Sequence, residues 1–168
     1  MTHRDPLNSR WFPLTSELWP YCQNGAQYAG LIRLEVLHRF GGVYIDSDVE
    51  LYRPLDDLLD LGAFAAWEDT ETVPDAVLGF EQGHTVLLDM IDLAGERIRS
   101  DRSEWRDGAG AWSTGPGVCT TILPEHPEVT LLPPESFYPY HYTRRDLRWA
   151  DHRGPNTYGA HHWAGSWL

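Results

Sequence analysis

Apolar positions recur at helical spacing in two long stretches of the chain. In the first, Ala26, Ala29, Arg33, Leu37 and Phe40 fall on one helical face, and Leu31, Leu34 and Val36 widen its apolar stripe. Gly41-Gly42 stops that helix, because glycine takes the left-handed conformation a helix C-terminus needs. Val43, Tyr44 and Ile45 then form a short β-prone run. The second stripe is Leu87, Met90, Ile91, Ala94 and Ile98, a core-facing helix over 86–98 with Arg97, Arg99 and Arg102 at its negative pole. Between these two, Leu55, Leu58, Leu59 and Leu61 suit a short helix after Pro54, and a buried strand is expected over 63–67. An acidic loop spans 68–73. Further on, 100–113 is a polar, glycine-rich stretch expected to be a mobile loop, with Trp105 and Trp112 pinning it. A helix over 117–123 ends at Pro124, and 129–132 reads as a strand. Segments 1–24 and 140–159 read as irregular. Pro6, Pro13 and Pro20 leave the first with one helical turn at 16–19.

Composition narrows the function classes. The 168 residues make one domain, large enough to bury a real core. A formal net charge of −12 argues against a nucleic-acid partner. All 13 basic residues are Arg, and Arg144, Arg145, Arg148 and Arg153 read as a solvated surface run. Two cysteines, Cys22 and Cys119, are too few for a disulfide framework and do not form a metal-type pair, so a reducing, cytoplasmic setting is expected. No stretch has the length of a membrane span, and the N-terminus lacks a basic-then-apolar signal. The eight Trp and eight Tyr hint at sugar-stacking faces, though such residues more often build core.

Chemistry enters with Asp46 and Asp48. Residues two apart on an extended segment point to the same side, and two carboxylates there repel unless a cation lies between them. Hard divalent ions favour such oxygen ligands. The pair belongs to a longer constellation, R-x3-L-x3-GG-x-Y-x-D-x-D, made by Arg33, Leu37, Gly41-Gly42, Tyr44, Asp46 and Asp48. That constellation resembles the sugar-binding DXD region of the retaining glycosyltransferases related to yeast outer-chain α-1,6-mannosyltransferases, glycosyltransferase family 32. Three further stretches resemble that family in order: 75–80 leading to Gly83-His84, like the family's strand and Gly-His-Pro-like turn, then Thr114-Gly115-Pro116, and Phe137-Tyr138-Pro139.

The resemblance implies an α/β fold, a GT-A-type nucleotide-diphospho-sugar transferase domain with a mixed sheet flanked by helices, over 26–168, preceded by the irregular segment 1–25. It lacks the family's N-terminal nucleotide-gripping strands, and is in that sense truncated. It implies a metal-dependent retaining transfer of a sugar from a nucleotide-diphosphate donor to a glycan or other hydroxyl acceptor, as in polysaccharide biosynthesis. Mn²⁺, or Mg²⁺, would be held by Asp46, Asp48 and His162, with His161 the fallback because neighbours on a strand face opposite ways. A neutral imidazole suits Mn²⁺ better. Arg33, Asp48 and Asp75 carry the catalytic expectation. Gly41, Gly42, Tyr44, Asp46, Ser166 and Trp167 carry the donor-binding one, the last two through a His-x-x-x-Ser-Trp-like ending near the diphosphate.

Three positions depart from the family. Asp75 stands where an Asn is expected, and a carboxylate accepts hydrogen bonds where an amide also donates. Thr85 replaces a proline. Gly30 replaces an Asp that helps hold the donor sugar, so Gly30→Asp is expected to restore binding and to firm the helix. These departures keep open a non-catalytic sugar-nucleotide-binding subunit, or a split enzyme whose second chain supplies the missing half. A metal-dependent phosphoester hydrolase is a weaker alternative, because no second His/Asp cluster accompanies the pair.

Overall fold

The computed structural model describes residues 9–100, 110–144, 146–147 and 153–164. Its elements run α1 (Gly25–Phe40), β1 (Gly42–Ile45), β2 (Val49–Leu51), α2 (Asp56–Leu59), β3 (Ala63–Ala66), β4 (Val77–Phe80), α3 (Val86–Arg99), α4 (Gly110–Thr114), α5 (Pro116–Ile122), β5 (Thr130–Leu132) and β6 (Gly159–His161). Four strands form a mixed sheet in the order β1-β4-β3-β5. β4 is antiparallel to both β1 and β3, while β3 and β5 are parallel. β2 and β6 form a separate antiparallel ribbon, with Val49 opposite His161.

The alternation of side chains along the strands makes two cores. Ala63, Ala65, Leu78 and Phe80 face a cluster shared with Leu31, Leu34 and Leu37 of α1 and Leu87, Met90 and Ala94 of α3. Phe64, Ala66 and Val77 face the other way, onto Leu58 of α2, Phe137 and Tyr138. Gly79 lies opposite Phe64 and leaves room for its ring; a β-carbon there would overlap ring atoms of Phe64.

α1 starts at Asn24, whose side chain accepts from the N–H of Gln27, and ends on Gly41, whose N–H donates to Leu37 O at 2.8 Å. Gly41 and Gly42 have φ of 65° and 99°, the left-handed region that lets the chain reverse into β1. The buried residues of α1 are Gln27, Gly30, Leu31, Arg33, Leu34, Glu35 and Leu37, so the predicted stripe is kept at Leu31, Arg33, Leu34 and Leu37, while Ala26, Ala29 and Val36 are half-buried. Phe40, expected on that face, is 64% exposed. Glu35 is buried and accepts from Thr15 N–H at 2.9 Å and Thr15 Oγ1 at 2.7 Å. That polar anchor, invisible to a hydrophobic pattern, ties the irregular N-terminal segment to the helix.

Other expectations meet small corrections. The helix after Pro54 covers Asp56–Leu59 alone. The stretch expected as a loop through 113 instead closes in helix α4, while 101–109, with Trp105, lies outside the described residues. Of the arginines read as a surface run, Arg144 pairs with Asp146 at 3.1 Å and Arg153 lies over the Tyr52 ring at 4.0 Å. Arg145 and Arg148 lie outside the described residues. The β2–β6 ribbon was not expected, and it is the element that completes the site. Among the described residues no helix is long and apolar enough to cross a membrane.

Candidate functional site

The helix–turn–strand unit delivers the carboxylates. β1 ends at Ile45, and the N–H of Asp46 still donates to Ala76 O at 2.8 Å, so Asp46 leaves the sheet beside the entry to β4. The chain then turns, with Val49 N–H on Asp46 O at 3.0 Å, into β2. Arg33 comes up from the middle of α1, on the helix that the glycine pair folds back against this strand end. Its side chain is 5% exposed and bridges two acids, Asp75 at 2.8 Å and Asp46 at 3.3 Å. Arg33 Nη1 also donates to Asp75 O at 2.6 Å, and its guanidinium lies 4.3 Å over the Tyr44 ring. Burial works against the Arg33 charge, but Asp75 and Asp46 outweigh it and hold the guanidinium pKa above its ordinary value. Tyr44 donates to Asp46 Oδ1 at 2.6 Å, which leaves Asp46 fixed from two sides.

Asp75 is the deepest acid of the group. Burial raises its pKa, Arg33 pulls it down, and the Asp46 charge raises it again. Gly115 lies against it, since a β-carbon on Gly115 would be 2.6 Å from Asp75 Oδ2. The Thr114-Gly115-Pro116 stretch therefore meets the site at this carboxylate, with buried Cys119 one turn on, its thiol pKa pushed up by burial and by Asp75.

The second aspartate is held by the far end of the chain. Asp48 Oδ1 is 3.2 Å from His161 Nε2, its Oδ2 accepts from Ala164 N–H at 2.9 Å, and its carbonyl accepts from His162 N–H at 2.8 Å. The sequence placed His162 beside the pair and kept His161 as fallback; the structure brings His161 there. Pairing of β6 with β2 fixes this: in the register that sets Val49 against His161, the His161 ring turns inward and that of His162 turns outward. His162 Nε2 instead lies 3.2 Å from Glu50 Oε2, and its Nδ1 lies 3.1 Å from the Tyr140 hydroxyl. Burial lowers the His161 pKa, against the opposing pull of Asp48 and Asp46, and so favours the neutral ring.

Asp46, Asp48 and His161 each offer one ligand atom, all within 4.8 Å of one another. Two carboxylate oxygens and a neutral imidazole nitrogen form a donor set suited to a divalent ion such as Mn²⁺. Gly41 and Gly42 act at a distance, by shaping the turn into β1. Ser166 and Trp167 lie outside the described residues. Sequence reasoning missed Tyr138, which packs edge-on against His161 at 5.9 Å; its place in a Phe-Tyr-Pro stretch was the available signal.

Gly30 has a structural reason to be glycine here. A β-carbon on it would lie 2.6 Å from Thr114 Oγ1 and 2.7 Å from Thr114 O, so α4 already fills the space an acid at this position would need. The expectation that aspartate would firm the helix is overturned by that packing.

Comparison with known proteins agrees with this geometry. Residues 2–65, which include Arg33, Asp46 and Asp48, match the family described as glycosyltransferase sugar-binding region containing DXD motif. Inositol phosphoceramide mannosyltransferase 3 of Schizosaccharomyces pombe is 32% identical over 81 residues, which make 48% of this chain and 22% of that protein. Among solved structures, PaToxG glycosyltransferase shares the fold, with a TM-score of 0.53 at 19% identity over 71% of this chain and 42% of that one. The chain thus spans less than half the length of either relative. Over residues 2–65 it carries the sequence pattern of a DXD-containing glycosyltransferase sugar-binding region, set in a glycosyltransferase-like α/β fold.

Proposed function

We propose that this chain takes part in glycosyl transfer, moving a sugar from a nucleoside-diphosphate donor to a hydroxyl acceptor with retention at the anomeric carbon. The observation that carries the reading is the convergence of Asp46, Asp48 and His161 on one point, with Arg33 braced behind Asp46. A divalent cation held there, Mn²⁺ by preference for its mixed oxygen and nitrogen ligands, would offset charge growing on the diphosphate as the bond to the sugar breaks. Arg33 bridges Asp46 and Asp75, which leaves both fixed before the donor arrives. Tyr44 adds a second restraint on Asp46. Asp75, 13% exposed, is placed to accept from a sugar hydroxyl. No side chain is assigned as a nucleophile.

A second reading, a site that binds sugar nucleotide without turning it over, is favoured by one observation: Thr114 occupies the space beside Gly30 where the related enzymes place an acid.

Calorimetry with Mn²⁺ and UDP-glucose or GDP-mannose, followed by product analysis with and without a glycan acceptor, tests both. Transfer should require Mn²⁺ and disappear in Asp48→Ala. Mn²⁺-dependent binding without product favours the second reading. Wild-type protein that binds no sugar nucleotide in Mn²⁺ refutes both.

A further inference from the structure

The mixed sheet has an open edge at β1. Among the described residues β1 pairs with β4 alone, and β4 is closed on its other side by β3. The N–H of Asp46 donates to Ala76 O, which fixes the alternation along the strand: the backbone of Tyr44 faces β4, while the N–H and C=O groups of Val43 and Ile45 point away from it. Those four groups have no hydrogen-bond partner among the described residues. β3 and β4 are buried throughout, whereas Val43, Tyr44 and Ile45 are half-buried and Gly42 is exposed. Edge strands are ordinarily guarded by proline, charge or a bulge, and Gly42–Ile45 carries none of these.

An apolar cavity of about 170 Å³ meets this edge where β1 begins. Leu58 and Leu59 of α2, Phe64 of β3 and Phe80 of β4 wall it, and Gly42 lines its β1 side without a side chain. Leu59 is 56% exposed, so the cavity opens on an apolar rim. A space of this size holds a phenyl ring or a branched aliphatic side chain. Glu81 is the charged residue on its wall, Asp56 and Asp60 bound α2, and among the described residues no basic group lines it. A row of unpaired backbone groups beside a pocket for one side chain is the arrangement by which a sheet takes up an extended peptide. We infer that β1 is a docking edge for an extended segment of another polypeptide, which adds to the four-stranded sheet and sets a Leu or Phe side chain into the cavity. Basic residues flank that anchor, since the cavity wall and the net charge of −12 are both acidic. A second copy of this chain would instead bring another −12 to the same edge. This edge stands whether or not the carboxylate site binds sugar nucleotide.

The test measures fluorescence anisotropy of the labelled peptide Arg-Val-Thr-Leu-Thr-Val-Arg against the full chain. Serine in place of the central leucine should weaken binding about tenfold or more, and glutamate in place of both arginines should weaken it too. N-methylation of alternate backbone amides should abolish binding in one of the two possible sets and spare it in the other, because only every second amide of an added strand meets β1. On the protein, Val43→Pro deletes an outward N–H while keeping the bonds to β4, and should abolish binding with Tm little changed. Leu59→Lys, at an exposed position, should weaken the arginine peptide and strengthen the glutamate one. Unaltered binding to either variant overturns the proposal, as does equal tolerance of the two N-methylated sets. So does a wild-type chain that does not bind the leucine peptide. In sedimentation of the chain alone, a dimer that Val43→Pro dissociates assigns the edge to a second copy and overturns the peptide reading. Should Val43→Pro not fold, Leu59→Lys and the N-methylated pair decide.

Discussion

Arg33 is the residue on which the others are set. It lies between Asp46 and Asp75, and its removal would leave two acids facing each other in a poorly solvated space. Three substitutions separate neighbouring roles around it. Gly30→Asp should destabilise the fold by about 1–3 kcal/mol in urea unfolding, because its β-carbon would press on Thr114, and should bring no gain in donor binding. His161→Ala should weaken Mn²⁺ binding at least tenfold by calorimetry, while His162→Ala, which loses contacts to Glu50 and Tyr140, should change it little. Glu68 gives a pH signature of its own. Burial, with help from Asp69, raises its pKa to about 7, while His141 Nε2 lies 3.4 Å away. A carboxyl raised in the folded state binds more protons there than in the unfolded chain. Its contribution to stability is therefore full below the unfolded carboxyl range and declines as pH rises toward about 7. Glu68→Gln should flatten that decline, a gain of at most about 3 kcal/mol at pH 8 in unfolding free energy.

At the level of elements, the helix–glycine–strand unit was legible because every signal in it is local. The centre of the α1 stripe, the Gly41-Gly42 stop and the Asp46/Asp48 spacing all lie within one stretch, and the fold keeps them. The β2–β6 ribbon was not, since each strand is three residues long and the partners lie over a hundred positions apart. The choice between His161 and His162 depends on a one-residue register that only pairing decides. The packing of Gly30 on Thr114 was hidden in the same way, by a contact between segments distant in sequence. The sheet offers its own test at Gly79. Gly79→Ala should lower stability by about 2 kcal/mol or more in chemical denaturation, because the methyl meets the Phe64 ring, and Phe64→Leu should restore part of the loss.

Across the whole molecule, the balance of charge works on the two ligands of the proposed reaction in opposite directions. A net charge of −12 attracts a divalent cation and repels a nucleoside diphosphate. Raising salt from about 0.01 to 0.15 M, which shortens screening from about 30 to 8 Å, should weaken Mn²⁺ binding. In stopped-flow mixing at saturating Mn²⁺, the same change should speed sugar-nucleotide association. Matching salt trends for the two would show that the field of the protein does not reach the site.

The ribbon that carries His161 also sets the order in which the chain acquires its properties. Ala164 reaches Asp48 across 116 positions, whereas α1 and β1 are built from neighbours. Contacts of such span form late in folding, because the loop they close must be paid for before they reward it. By contact span, the β2–β6 ribbon is expected to dock after α1 has formed, so that His161 is the last of the three to join Asp46 and Asp48. A cation bound at the proposed site would favour the docked ribbon over the undocked one, and so act as a latch on that step.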